Sequence, residues 1–88
     1  MKIQEACIIF KKPWYFTVYQ VNKSQYFIEI PYSPKSFVDS TMMIEINNKK
    51  IDEEEVTNLS IRVRDNPEKY IGLAIDPKLQ LEITKAAS

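Results

Sequence analysis

The sequence predicts an α+β fold: a small antiparallel β-sheet of five or six strands with one helix near residues 52–65. Three observations predict it. Two runs rich in β-branched and aromatic residues, Trp14 to Val21 and Gln25 to Tyr32, flank the polar break Asn22-Lys23-Ser24, which is the pattern of a β-hairpin. The acidic run Asp52-Glu53-Glu54-Glu55 reads as a helix start, with Asp52 as cap and Glu55 at the capping-box position. Leu79, Leu81 and Ile83 alternate with Gln80, Glu82 and Thr84, as a half-buried strand does. The alternative is an all-β barrel or sandwich, because Leu59 to Arg64 also alternates and could be a strand.

In chain order, Ile3 to Phe10 is a first strand, apolar on both sides as a strand covered on both faces would be. Cys7 within it reads as an inert small core residue. Lys11-Lys12-Pro13 is a tight connection, since proline cannot donate to a ladder. In the hairpin, Trp14, Phe16, Val18, Ile28 and Ile30 are assigned to the core. Tyr15, Thr17, Tyr19, Phe27 and Glu29 are assigned to an outer face, whose hydroxyls tolerate water better; a slip of one residue would exchange the two sets. Pro31 to Ser40 holds two prolines and three serines and reads as an ordered loop or a short extended edge. Tyr32 and Phe37 are large for such a loop. They either fold back to seal the end of the sheet or project as binding anchors.

Thr41 to Ile46 is a further strand, with Met42, Ile44 and Ile46 on one side and Met43 and Glu45 on the other. Asn47 to Lys50 is a turn. Val56, Leu59 and Val63 line one face of the helix, which Asn66-Pro67 ends. Tyr70 to Ile75 reads as extended, with Gly72 where a side chain is unwelcome. Asp76-Pro77 turns the chain into the last strand, and Lys85 to Ser88 is a loose tail.

A chain of 88 residues is expected to form one domain, residues 1–88. Its 12 basic and 12 acidic residues cancel. That balance argues against a duplex-nucleic-acid or membrane-surface binder, which usually carries a basic excess. One cysteine allows no intramolecular disulfide and fits a reducing compartment. The longest early apolar run, Ala6 to Phe10, is too short to span a membrane, so a cytoplasmic protein is expected.

Catalytic chemistry is thinly supplied. No histidine is present, which removes the commonest general base and metal ligand. One glycine cannot build a phosphate-binding loop. Glu29 and Glu45, the acids within apolar strands, could form a carboxylate pair, but two separate surface glutamates explain them better. No enzyme, metal or cofactor is expected.

The function expected is that of a small protein-binding module, an inhibitor, immunity-type or adaptor protein of a bacterium or phage. It would act by occlusion through an aromatic sheet face and could pair with a second copy of itself. Its partner-binding residues would be Tyr15, Tyr19, Phe27 and Glu29, with Tyr32 and Phe37. The alternative is a single-stranded nucleic-acid-binding domain, in which bases stack on the same rings and Lys11, Lys12 and Lys23 follow the backbone.

Overall fold

Three hairpins in succession build the sheet. The computed structural model describes residues 2–35, 38–46 and 52–88. Strands β1 (Ala6–Lys12), β2 (Phe16–Val21), β3 (Gln25–Lys35) and β4 (Val38–Ile46) are followed by α1 (Glu53–Asp65), α2 (Pro67–Tyr70), a 3-10 turn (Ile71–Leu73) and α3 (Pro77–Ala87). The four strands form one antiparallel sheet in the order β1-β2-β3-β4. The class is α+β, with four strands among the described residues in place of five or six and with more helix than expected. The turn expected over Asn47 to Lys50 lies outside the described residues.

The β2–β3 turn follows from its sequence. Asn22 and Lys23 both adopt left-handed backbone, at φ 52° and 66°, the geometry that suits the right-handed twist of paired strands. The Ser24 N–H donates to the Val21 carbonyl at 3.3 Å. Asn22 also works as a staple: its Oδ1 accepts from Gln4 N at 2.8 Å, and its Nδ2 donates to the Lys2 carbonyl at 2.9 Å. The β3–β4 hairpin runs on through the expected loop, pairing Pro31 with Thr41, Tyr32 with Ser40 and Lys35 with Val38 around a bulge. Pro31 is tolerated because pairing to β2 stops at Glu29, so no ladder bond on that side needs its missing N–H.

Helix α1 covers one face of the sheet. Phe16, Val18, Ile28, Ile30, Met42 and Ile44 pack there against Val56 and Val63. Four of the five hairpin residues assigned to the core are therefore in it. Residues 59–64 are helical, with Ser60 buried, Leu59 half-buried and Ile61 outside. Three glutamates in the first turn sit at the positive end of the helix dipole. Asp52 makes no side-chain cap bond, contrary to expectation; its carbonyl accepts from Val56 N–H at 3.0 Å.

The second face is covered as well, and this overturns the outer-face assignment. Tyr19, Val21, Phe27 and Met43 are buried with Ile83 of α3, and Leu79 and Ala87 pack beside them. The segment read as a last strand is a helix. Its cap was in plain view: Asp76 Oδ1 accepts from Lys78 N at 2.8 Å, and Pro77 occupies the first turn, the pairing that favours helix initiation. Leu79, Ile83 and Ala87 recur every fourth residue and face the sheet, while Leu81 points to solvent. The expected loose tail is helical through Ala87.

Between the helices, Tyr70 to Ile75 is extended only at its end. Ala74 bridges Ile44, and Ile75 N–H donates to the Met43 carbonyl at 2.9 Å, which covers part of the outer edge of β4. A Cβ added at Gly72 would meet nothing within 4 Å, so the side chain thought unwelcome there has room.

Beneath α3, the Tyr19 hydroxyl donates to Glu29 Oε1 at 3.2 Å. Burial foremost, then the negative charge and hydrogen bond of Glu29, push the phenol from 10.0 up to about 12. Because the folded value lies above the unfolded one, stability held by neutral Tyr19 is complete below pH 10 and is lost as pH rises through about 12. That loss is on the order of 2 kcal/mol. Tyr19→Phe should flatten the fall between those values relative to the wild type, as read by denaturant titration at stepped pH; parallel curves would refute the assignment. Gly72→Ala should stabilise the fold by roughly 0.4–1 kcal/mol by restricting the unfolded chain, measured as a rise in denaturation midpoint.

Candidate functional site

The residue that the fold leaves most conspicuously unused is Trp14. The connection between β1 and β2 is Pro13-Trp14-Tyr15, two residues later than expected, and Lys11 and Lys12 belong to β1. Tyr15 N–H donates to the Lys12 carbonyl at 3.0 Å across this turn. Pro13 presets the first central position, and Trp14 takes φ 73° at the second, the position where a type II turn normally asks for glycine. Trp14 was expected in the core. It is instead 85% exposed, because the turn carries it beyond the last strand pair.

The tip is braced from below. Arg64, in the last turn of α1, donates from Nη1 to the Trp14 carbonyl at 3.3 Å. Its guanidinium also lies 5.4 Å from the centre of the Tyr15 ring, and Lys12 Nζ lies 5.0 Å from the same centre. Both cations therefore hold Tyr15 through its π face. The indole stands between two depressions. One, about 580 Å³, lies toward Tyr32, Ser33, Thr41 and Arg64. The other, about 190 Å³, lies toward Lys11, Thr17, Glu29 and Pro31. An aromatic blade flanked by cations and hollows is suited to insertion into, or stacking upon, a partner.

The residues singled out from sequence separate into groups. Tyr15 is exposed at the tip. Tyr32 is half-buried, packs on the α1-side core and also lines the larger depression; it seals the end of the sheet while keeping one side in the site. Tyr19 and Phe27 are buried under α3, so the fold does not present them to a partner. Glu29 is engaged from two sides: Tyr19 donates to one oxygen, and Gln80 Nε2 donates to the other at 3.3 Å. Gln80 also reaches Thr41 Oγ1 at 2.8 Å, so Glu29 ties α3 to the sheet. Phe37 lies outside the described residues.

Glu29 and Glu45 share the α3 face by strand alternation, as the paired reading required. Each has its own donor, however, and Glu45 accepts from Gln25 Nε2 at 3.4 Å. Cys7 is exposed on β1 rather than in the core. Among the described residues no group of three or more His, Cys, Asp or Glu is placed to hold a metal. Among the same residues no helix is long and apolar enough to cross a membrane.

Sequence reasoning missed Trp14 and Arg64 as a unit. The available signal was Lys12-Pro13-Trp14-Tyr15 itself, since proline favours the first central position of a turn and so moves Trp14 out of the strand. Comparison with protein-family models, with curated proteins and with solved structures finds no match to this chain.

Proposed function

We propose that this chain is a small non-catalytic protein-binding module, of the inhibitor, immunity-type or adaptor kind, that docks through the Trp14 tip. The observation that carries this reading is the combination of strain and exposure at Trp14. Left-handed backbone costs a non-glycine residue roughly 1–2 kcal/mol, and a bulky side chain is rare there. Burial returns nothing in compensation, because the indole lies in solvent. A large aromatic kept at such a position makes sense as an anchor whose compensation comes on binding, as interface tryptophans supply. Tyr15 and the inner wall at Tyr32 extend the contact surface. Lys12 and Arg64 suit a partner with carboxylates around the pocket that receives the ring. The docking surface is thus the sheet's end rather than its aromatic face.

Single-strand nucleic-acid binding is the second reading, favoured by one observation: Lys12 and Arg64 both lie against the ring of the exposed Tyr15. Salt separates the two. Oligonucleotide binding should weaken steeply between about 50 and 200 mM salt, whereas an indole-anchored protein interface with two flanking cations should weaken much less.

Trp14→Gly is the decisive variant. It should raise stability by about 1 kcal/mol by relieving the left-handed strain, and it should weaken partner capture by about 2 kcal/mol or more. Lys23→Gly relieves comparable strain at the opposite end of β2 and should stabilise without touching capture. Chemical denaturation and differential pull-down on the immobilised wild type and both variants read these outcomes. Capture that survives intact in folded Trp14→Gly would sink the proposal.

A further inference from the structure

The two edges of the sheet are treated differently. The outer edge of β4 is met by Ala74 and Ile75, but β1 is the first strand of the sheet and among the described residues has a neighbouring strand on one side only. Its outward groups can be identified. Asn22 N–H donates to the Glu5 carbonyl at 2.9 Å, and Asn22 Oδ1 accepts from Glu5 N at 3.2 Å. Both main-chain groups of Glu5 therefore face β2. Alternation then turns those of Ala6 and Ile8 to the open side. Beside them stand Ile8 and Ile9, 44% and 38% exposed. An exposed strand edge bearing apolar side chains is a template for pairing.

We infer that two copies of this chain join through antiparallel pairing of β1 with β1, about a two-fold axis between Ile8 and Ile9. The occupant is chosen by charge. In that register Glu5 of each copy lies opposite Lys12 of the other, giving two equivalent ion pairs, whereas parallel pairing would set lysine against lysine. The faces also agree. Phe10 packs in the α1-side core, and Lys12 pairs with Phe16 of that core, so both belong to the α1 face. Cys7 pairs with Gln20, Gln20 with Tyr26, and Tyr26 with Ile46, which packs in the same core. Cys7 and Glu5 thus share the α1 face.

Glu5 and Lys12 are an odd number of residues apart, and a regular strand would put them on opposite faces. The irregularity between Ile8 and Phe10 resets the alternation and brings both to the face where a two-fold seam can pair them. The product is a continuous eight-stranded sheet, twice the four-stranded one. Its two Trp14 tips stand at opposite ends of the seam, roughly 35 Å apart at 3.3 Å per residue.

Sedimentation equilibrium of the wild-type chain tests this without any knowledge of the tip's partner. The mass should rise from 10.3 kDa toward twice that value with concentration. Glu5→Lys and Lys12→Glu should each weaken dimerisation roughly three- to tenfold, and the double exchange should restore it. Ile8→Lys, at an exposed position, should leave a folded monomer by circular dichroism. Trp14→Gly should dimerise as the wild type does, which keeps this test separate from the docking proposal. A wild-type mass of one chain at up to about 1 mM would overturn the inference. So would a double exchange no tighter than its single parents, or undiminished dimerisation of Ile8→Lys.

Discussion

A sheet apolar on both sides has no stable place in water until both sides are covered, and β2 and β3 make that demand here. Val18 and Ile28 form one cross-strand pair, and Tyr19 and Phe27 form the next on the other side. Each pair is buried, the first under α1 and the second under α3. The rest of the architecture answers to this. A meander of four short strands supplies the ladder, and the two longer helices supply the covers. The short segment over residues 67–76 carries the chain from one face to the other past the edge of β4, pairing with it at Ala74 and Ile75 on the way. For a chain of 88 residues, placing helix on both faces turns nearly all of β2 and the middle of β3 into core, which offsets the poor surface-to-volume ratio of a small domain.

The same demand explains what could be read from the residues alone. Alternation located the β2–β3 hairpin and the strand from Thr41 to Ile46, and the acidic start with its apolar stripe located α1. These are features in which local propensity and burial agree. The second face failed for a specific reason. Tyr19 and Thr17 carry hydroxyls, Glu29 carries a charge, and in the sequence alone each points to solvent. Glu29 and Tyr19 satisfy one another under α3, and a hydrogen-bonded polar group can lie close to the core without a large desolvation penalty. Recognising that required knowing that residues 77–87 are helical. Leu79, Leu81 and Ile83 fit a strand by alternation, and two of the three fit a helix face equally well. The cap at Asp76 and Pro77, followed by Lys, Leu, Gln and Glu, was the better guide, because those residues are helix formers with little β preference. One misread element removed the cover from a face and made its rings look surplus.

The candidate site was legible only in fragments for a related reason. Tyr15 and Tyr32 stood out by composition. Trp14 was drawn into the core because a tryptophan beside a strand is ordinarily buried, and nothing local reveals that Arg64, fifty positions away, reaches its carbonyl. Such a brace exists only once α1 lies across the sheet. The tip is thus a consequence of the first cover as much as of the turn beneath it.

Where the chain spends its conformational freedom sharpens the case for Trp14. Left-handed backbone occurs at Trp14, Asn22 and Lys23, and the one glycine, Gly72, has no positive φ and open space where a side chain would go. Asn22 has a structural reason for its conformation, since asparagine tolerates it and its amide holds the N-terminal segment through Lys2, Gln4 and Glu5. Trp14 has none of that kind. Its side chain lies outside the two buried clusters, and the bond from Arg64 is to its main-chain carbonyl, which any residue provides. A turn selected for stability alone would carry glycine at this position. The fold holds together around the tip without needing the indole, which is what the proposed docking role asks of that residue.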